Sequence, residues 1–207
     1  MTNRIRVLAV DDHPLLREGI AAVMQGEGDI ELAASATNGY QAIELFRLHR
    51  PDVTLMDLQM QGMNGIEAIN EIRREFPNAR FIVLTTYQGD VQVLRALKAG
   101  ATGYLLKSMM RKDLLDTIRA VHAGKRCIPN EIAAELAEHV IDEPLSDREI
   151  AVLRKVATGT SNKIIAAQLE VTEATVKGHL KSIVSKLGAN DRTHAVTIAM
   201  KRGFLDG

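Results

Sequence analysis

Residues 5–12 read Ile-Arg-Val-Leu-Ala-Val-Asp-Asp, a short, largely apolar run that stops on two carboxylates. A run of this length bounded by polar residues suits a strand buried on both faces, as strands of parallel sheets are. Working outward, similar runs occur at Ile30–Ser35, Val53–Met56, Arg80–Thr85 and Gly103–Leu106. Between them lie stretches of helical periodicity at Pro14–Met24, Gly39–Leu48, Ile66–Glu75, Val91–Ala99 and Arg111–His122. Pro14 suits a first helical turn, and Gly26, Gly89, Gly100 and Gly103 punctuate the loops. Strict strand-helix alternation predicts an α/β domain with a doubly wound, five-stranded parallel sheet of flavodoxin-like type. Ligands of such sheets bind at the carboxyl ends of the strands, which is where chemistry is expected.

Those ends carry a consistent set. Asp11 and Asp12 end the first strand, Asp57 the third, Thr85 the fourth and Lys107 the fifth. A right-handed parallel sheet brings these ends to one rim, so three carboxylates, a hydroxyl and an ammonium are expected to share a pocket. Clustered carboxylates repel unless a cation sits among them, and an all-oxygen donor set suits Mg2+. With that charge and Lys107 neutralising an incoming phosphoryl group, Asp57 is placed to attack phosphorus. An Asp at a single strand end is ordinary loop punctuation; five such residues on successive ends are not. Tyr104 taken alone reads as packing, and only its position three residues before Lys107 draws attention to it.

Past Gly124 the strand pattern stops. A short helix is expected at Glu131–Val140, followed by a turn at Asp142-Glu143-Pro144. Ser146-Asp-Arg-Glu149 has capping-box spacing and opens a helix to about Thr158, with further helices at about Asn162–Leu169, Glu173–Leu187 and Thr193–Arg202. Only a few residues separate the second and third of these, which is helix-turn-helix spacing. In the third, Val176, Leu180, Ile183, Val184 and Leu187 share one face, while Ala174, Lys177, Gly178, Lys181 and Ser185 lie opposite. Such a face of small and basic residues fits a major groove. Lysines on any amphipathic helix are usually just solvated, but the surrounding charge shifts that balance. Residues 146–207 hold 10 Lys and Arg against 6 Asp and Glu, while residues 1–123 hold 14 against 15, within a chain of net charge zero. A basic end of this kind is expected to meet a polyanion.

Composition removes several alternatives. Aromatics make up 3% of the chain, with no Trp, too few for the base stacking that single-stranded nucleic acid requires. No apolar run approaches the ~18 residues of a membrane span, so no membrane partner and a cytoplasmic location are expected. The single cysteine, Cys127, has no partner for a disulfide within the chain and no companions at zinc spacing.

The Val-Asp-Asp, Met-Asp-Leu, Leu-Thr-Thr and Leu-Leu-Lys stretches give residues 1–123 a close resemblance to the receiver domain of bacterial response regulators. The resemblance implies Asp57 as phosphoacceptor and Asp11, Asp12, Asp57 and the backbone carbonyl of Gln59 as Mg2+ ligands. It also implies Thr85 and Tyr104 as a switch pair, and Lys107 as the lysine that accompanies Thr85 at the phosphorylation site. Gln61 departs from the usual Pro of the loop after Asp57, and Ser108 follows Lys107 where many receivers have Pro. Residues 145–204 resemble the LuxR-type DNA-binding domain through Leu-Ser-Asp-Arg-Glu, Gly-Thr-Ser-Asn-Lys, Thr-Val-Lys-Gly-His-Leu, Lys-Leu-Gly and Asp-Arg-Thr-His-Ala, within a module expected at 145–207. The implied architecture is a receiver, a linker at 124–144 and a four-helix helix-turn-helix module. The implied recognition helix is Glu173–Leu187, and Thr193–Arg202 is implied as the dimerisation helix. DNA-facing residues would be Ser161, Asn162, Lys163, Thr175, Lys177, Gly178 and Lys181. Gly178 and Ile164 depart from the family pattern, replacing Val or Ala and Glu respectively.

The expected function is therefore a transcriptional regulator of the NarL/FixJ type, controlled by phosphorylation from a sensor histidine kinase. It would form a homodimer on activation and bind double-stranded promoter DNA, expected as an inverted repeat. Two rivals remain. An aspartyl-phosphate phosphatase would need a second acid two residues after the nucleophile, where Gln59 has no proton to give. A signalling adaptor would carry the helical module without a DNA-reading face.

Overall fold

The computed structural model describes residues 4–86, 89–130, 132–134 and 143–205. The chain divides into two compact units. The first holds five parallel strands: β1 Ile5–Val10, β2 Ile30–Ala36, β3 Val53–Asp57, β4 Phe81–Thr85 and β5 Gly103–Leu106. They stand in the order β2-β1-β3-β4-β5. The helices between and after them are α1 Pro14–Met24, α2 Gly39–His49, α3 Gly65–Glu75, α4 Asp90–Ala99 and α5 Met110–His122. The chain runs outward from β1 to β2, returns past it to β3, and then continues in the other direction. The loops after β1 and β3 therefore diverge and leave a crevice between them.

Every residue of β3 and β4 is buried, as the unbroken apolar runs require of strands covered on both faces. Alternation sends Val7, Ala9, Leu55, Ile82, Leu84 and Leu105 into one core, where Ile20 and Met24 of α1 and Leu114, Ile118 and Val121 of α5 complete the packing. On the opposite face Phe81 stacks at 6.3 Å on Phe46 of α2, and Ile69 and Ile72 of α3 are buried. α3 begins with a complete capping box in which Asn64 accepts from Glu67 N–H and Glu67 accepts from Asn64 N–H.

Most expected boundaries lie within one residue of those observed, and the differences have local causes. β3 extends one residue to Asp57 because the ladder pairs Asp57 with Leu84. β2 reaches Ala36 because its carbonyl accepts from Asp11 N–H at 3.1 Å. One feature escaped the sequence reading. After α5 the chain turns at Gly124 (φ +82°) and lays Cys127 parallel to Gly103 along the outer edge of β5.

The second unit contains α6 Asp147–Ala157, α7 Asn162–Gln168, α8 Glu173–Lys186 and α9 Arg192–Arg202. Val152, Leu153, Val156, Ile165, Val176, Ile183, Leu187, Ala195 and Ala199 form its core. The helix expected at Glu131–Val140 lies largely outside the described residues, which include only the helical stretch 132–134. No helix among the described residues is long and apolar enough to cross a membrane.

Candidate functional site: an acidic rim and a basic helix

The β1–β3 register pairs Val10 with Met56, so Asp11 and Asp57 leave adjacent strands side by side. Both are buried, at 0% and 2% exposure. Lys107 arrives from the end of β5, and its Nζ lies 2.8 Å from Asp11 Oδ2 and 2.8 Å from Asp57 Oδ2. Carboxylate oxygens of Asp11, Asp12 and Asp57 and a ring nitrogen of His13 all lie within 4.8 Å of one another. Thr85, 2% exposed, ends β4 and pairs in register with Leu106, immediately before Lys107. The rim expected from the strand ends thus brings Asp11, Asp12, Asp57, Thr85 and Lys107 to one place.

Burial pushes the Asp57 carboxyl above the usual carboxylate range, against the pull of the Lys107 ammonium. Burial alone would lower Lys107, but hydrogen bonds and charge from Asp11 and Asp57 carry it above the ordinary lysine value. The Lys107 ammonium thus serves two of the three acidic side chains, and Asp12 stands beside His13. The donor set fits a hard divalent cation: it is all-carboxylate apart from His13, closely clustered and short of positive charge. Receivers of this kind bind Mg2+ at an acidic pocket, and the cluster here is of that kind.

Neighbouring residues hold the rim in shape. Gly65 lies so close beneath it that a Cβ would stand 2.0 Å from the Asp57 carbonyl oxygen. A Cβ on Gly39 would likewise strike Met63 at 2.6 Å, and Gly39 N–H donates to the Met63 carbonyl at 3.3 Å. With the Asn64 capping box, these contacts fix the loop that Gln61 enters in place of proline. Gln59 N–H donates to Asp57 Oδ1 at 3.2 Å. His13 was missed by the sequence reading, although the Asp-Asp-His run was in view. Its Nδ1 lies 2.8 Å from Asp12 Oδ1, and its backbone N–H donates to Asp11 Oδ1 at 2.8 Å. Tyr104 is 2% exposed, as packing requires.

In the second unit, Val176, Ile183 and Leu187 of the α8 region are buried, and Ala174, Thr175, Lys177, Gly178, Lys181 and Ser185 are exposed. Thr172 caps α8 by accepting from Thr175 N–H at 3.1 Å, and the two threonine hydroxyls lie 2.8 Å apart. The Thr175 hydroxyl is therefore already engaged in the cap. Lys177 Nζ pairs with Glu173 at 3.3 Å on the same exposed face. A Cβ added at Gly178 would meet nothing within 4 Å. Ser161 and Lys163 are exposed at the start of α7 and Asn162 is half-buried, while Ile164 remains 51% exposed. The turn into α8 passes through Glu170 at φ +55°, a left-handed residue without the freedom of glycine.

Residues 7–119 match the response regulator receiver domain, and residues 143–199 match the LuxR family of bacterial regulatory proteins. The transcriptional regulatory protein LiaR of Bacillus subtilis is 39% identical, with 98% of this chain and 100% of LiaR covered. The response regulator VraR of Staphylococcus aureus is 35% identical over 97% of this chain and 99% of its own. Among solved structures, the response regulator ChrA of a heme-sensing two-component system is 36% identical, with a TM-score of 0.58 over 98% of this chain and 100% of ChrA. The response regulator RcsB in complex with DNA is 27% identical, with a TM-score of 0.71 over 96% of this chain and 99% of RcsB. A receiver matched over more than half the chain, a LuxR-type module after it and full-length regulators as relatives lead to one conclusion: the chain belongs to the LuxR-type response regulators, the DNA-binding transcriptional regulators of two-component systems.

Proposed function

We propose that Asp57 accepts a phosphoryl group from a sensor histidine kinase and that this modification controls dimerisation and promoter binding. The observation that carries the reading is the pair of 2.8 Å contacts from Lys107 to Asp11 and Asp57 within a buried acidic cluster. An Asp57 Oδ attacks the phosphorus of a phosphohistidine or an acyl phosphate, forming the acyl–phosphate bond while the donor's P–N or P–O bond breaks. The donor group leaves with the bonding electron pair, and a histidine leaving group takes up a proton. Lys107 is already beside the attacking carboxylate, and the Thr85 hydroxyl enters the same rim to meet the transferred oxygens. Asp11, Asp12, Asp57 and the backbone carbonyl of Gln59 would hold Mg2+. When bound, that ion supplies neutralising charge for the phosphoryl oxygens.

The working division is a receiver at 1–123, a connecting segment at 124–144 and a DNA-binding module at 145–207. In that module α8 reads the major groove through Lys177, Gly178 and Lys181, with Thr175 at its N-terminal end. Ser161, Asn162 and Lys163 meet phosphate from the start of α7. Thr193, Thr197 and Met200 leave an exposed stripe along α9 that suits pairing of two modules across a two-fold axis. The expected operator is accordingly an inverted repeat. With Gln59 lacking a proton to give, dephosphorylation of Asp57 is expected to be slow self-hydrolysis rather than turnover.

An acyl phosphate and Mg2+ should add one base-labile phosphoryl group to the wild-type protein and none to Asp57→Ala, read by intact-protein mass spectrometry. Equal labelling of the variant would remove the assignment.

A further inference from the structure

β5 is the last strand of the sheet, and its outer edge would otherwise expose unpaired backbone groups. The chain itself covers that edge. Cys127 N–H donates to the Thr102 carbonyl at 3.0 Å, and Tyr104 N–H donates to the Cys127 carbonyl at 2.8 Å. These two hydrogen bonds form an isolated bridge in which Cys127 stands parallel to Gly103. A contact of one residue is weak beside the ladders of the inner strands, so it can open without unfolding the sheet.

Tyr104 also lines one groove together with the docked segment. An open groove of about 260 Å³ lies between β5, α5 and this segment, lined by Tyr104 and Met109 on one side and by Ile128 and Pro129 on the other. Tyr104 is buried, at 2% exposure, so a change in its packing is felt at the groove it lines. The far wall of that groove is the segment itself. Tyr104 therefore holds Cys127 by its backbone and shares one groove with Ile128 and Pro129.

We propose that residues 125–129 are a detachable edge strand of the receiver, whose docking on β5 couples the packing of Tyr104 to the segment leading to the DNA-binding module. Lys107 follows β5 directly, so a charge gained at Asp57 pulls on the strand that carries the bridge. Displacement of β5 loosens the single bridge and frees the start of the connecting segment. The trigger rests on Asp57 being the phosphoacceptor, whereas the coupling between Tyr104 and the segment does not.

Cys127 is the single cysteine of the chain and sits in the bridge, so its alkylation reports docking directly. When docked it is packed against the core, and burial pushes its thiol above the ordinary cysteine value, which slows reaction. The full-length protein would be treated with an acyl phosphate and Mg2+ and then with iodoacetamide. Intact-mass spectra count phosphoryl and alkyl groups on the same molecules. Phosphorylated molecules should alkylate at least about threefold faster than unmodified ones; an equal or slower rate overturns the proposal.

If no phosphoryl group is gained, the functional reading fails, and Tyr104→Ala and Tyr104→Leu decide the coupling alone. Both should alkylate faster than wild type while keeping its far-ultraviolet circular dichroism, and an unchanged rate in a folded variant overturns it. Should neither variant fold, hydrogen exchange of the native protein decides. The Tyr104 and Cys127 amides should share one opening free energy, and different opening energies would contradict a single detachable bridge.

Discussion

At the scale of single residues, Lys107 contacts two carboxylates while a third stands close by, which makes the rim short of positive charge. On the DNA-binding side the informative residues are Lys177 and Lys181, both exposed on α8. Lys177 pairs with Glu173 across one helical turn. An exposed pair of this kind is worth only ~0.3–0.5 kcal/mol, so it does not prevent the lysine from turning to DNA. Lys177 lies nearer the N-terminus of α8, the end of a recognition helix that usually enters the groove, and is expected to read a base if α8 has that role. Lys177→Ala should then relax preference at one base pair by ~1–3 kcal/mol. Lys181→Ala, if it loses only a phosphate contact, should weaken binding to all duplexes alike and flatten the salt dependence by about one unit. Titrations on matched and singly substituted duplexes at several salt concentrations separate these outcomes. Wild-type affinity in both variants would mean that α8 does not read DNA.

At the scale of elements, one ionic cluster fastens the C-terminal end of α8. Lys186 Nζ lies 3.1 Å from Glu149 of the α6 capping box, 3.1 Å from Glu143 and 3.3 Å from the Pro144 carbonyl. Burial alone would raise the Glu149 carboxyl, but hydrogen bonds from Ser182, Ser146 and Lys186 bring it down to about 2. A carboxylate lowered on folding contributes stability that is complete above its ordinary value and is lost as pH falls toward the lowered one. Between about pH 4.5 and pH 2 the helical unit should therefore lose on the order of 2 kcal/mol. Glu149→Gln should unfold more readily at neutral pH and show a flatter loss of stability over that range, followed by denaturant titration. An unchanged slope would show that another group governs acid unfolding. The capping box itself was readable from Ser146-Asp-Arg-Glu149, since it depends on residues three apart, and so were the strands, since each is a continuous apolar run. Lys186 was not, because its partners lie 37 and 43 positions earlier and only the packing of α8 on α6 brings them near. Cys127 escaped for the same reason: Arg-Cys-Ile-Pro carries no periodicity, and its strand-like pairing exists only because β5 is an uncovered edge.

At the scale of the whole molecule, the proposed function couples the acidic rim of one unit to the exposed face of α8 in the other. Phosphorylation should promote dimerisation, because a new dianion beside Thr85 and Lys107 biases the receiver between two packings and hence between two surfaces. Sedimentation with and without a phosphoryl mimic such as beryllofluoride should show the monomer giving way to dimer at lower protein concentration when the mimic is present. An unchanged monomer fraction over a wide concentration range would count against it. The central claim, that Asp57 controls promoter binding, is tested most directly by selecting duplexes from a random pool with the full-length protein. The affinity for the selected site is then measured with and without an acyl phosphate and Mg2+, for wild type and for Asp57→Ala. A recovered inverted repeat is expected, with an affinity that rises about tenfold or more on phosphorylation of the wild type and does not change in Asp57→Ala. The same affinity for phosphorylated and unphosphorylated wild type, or an equal response in the variant, would contradict it.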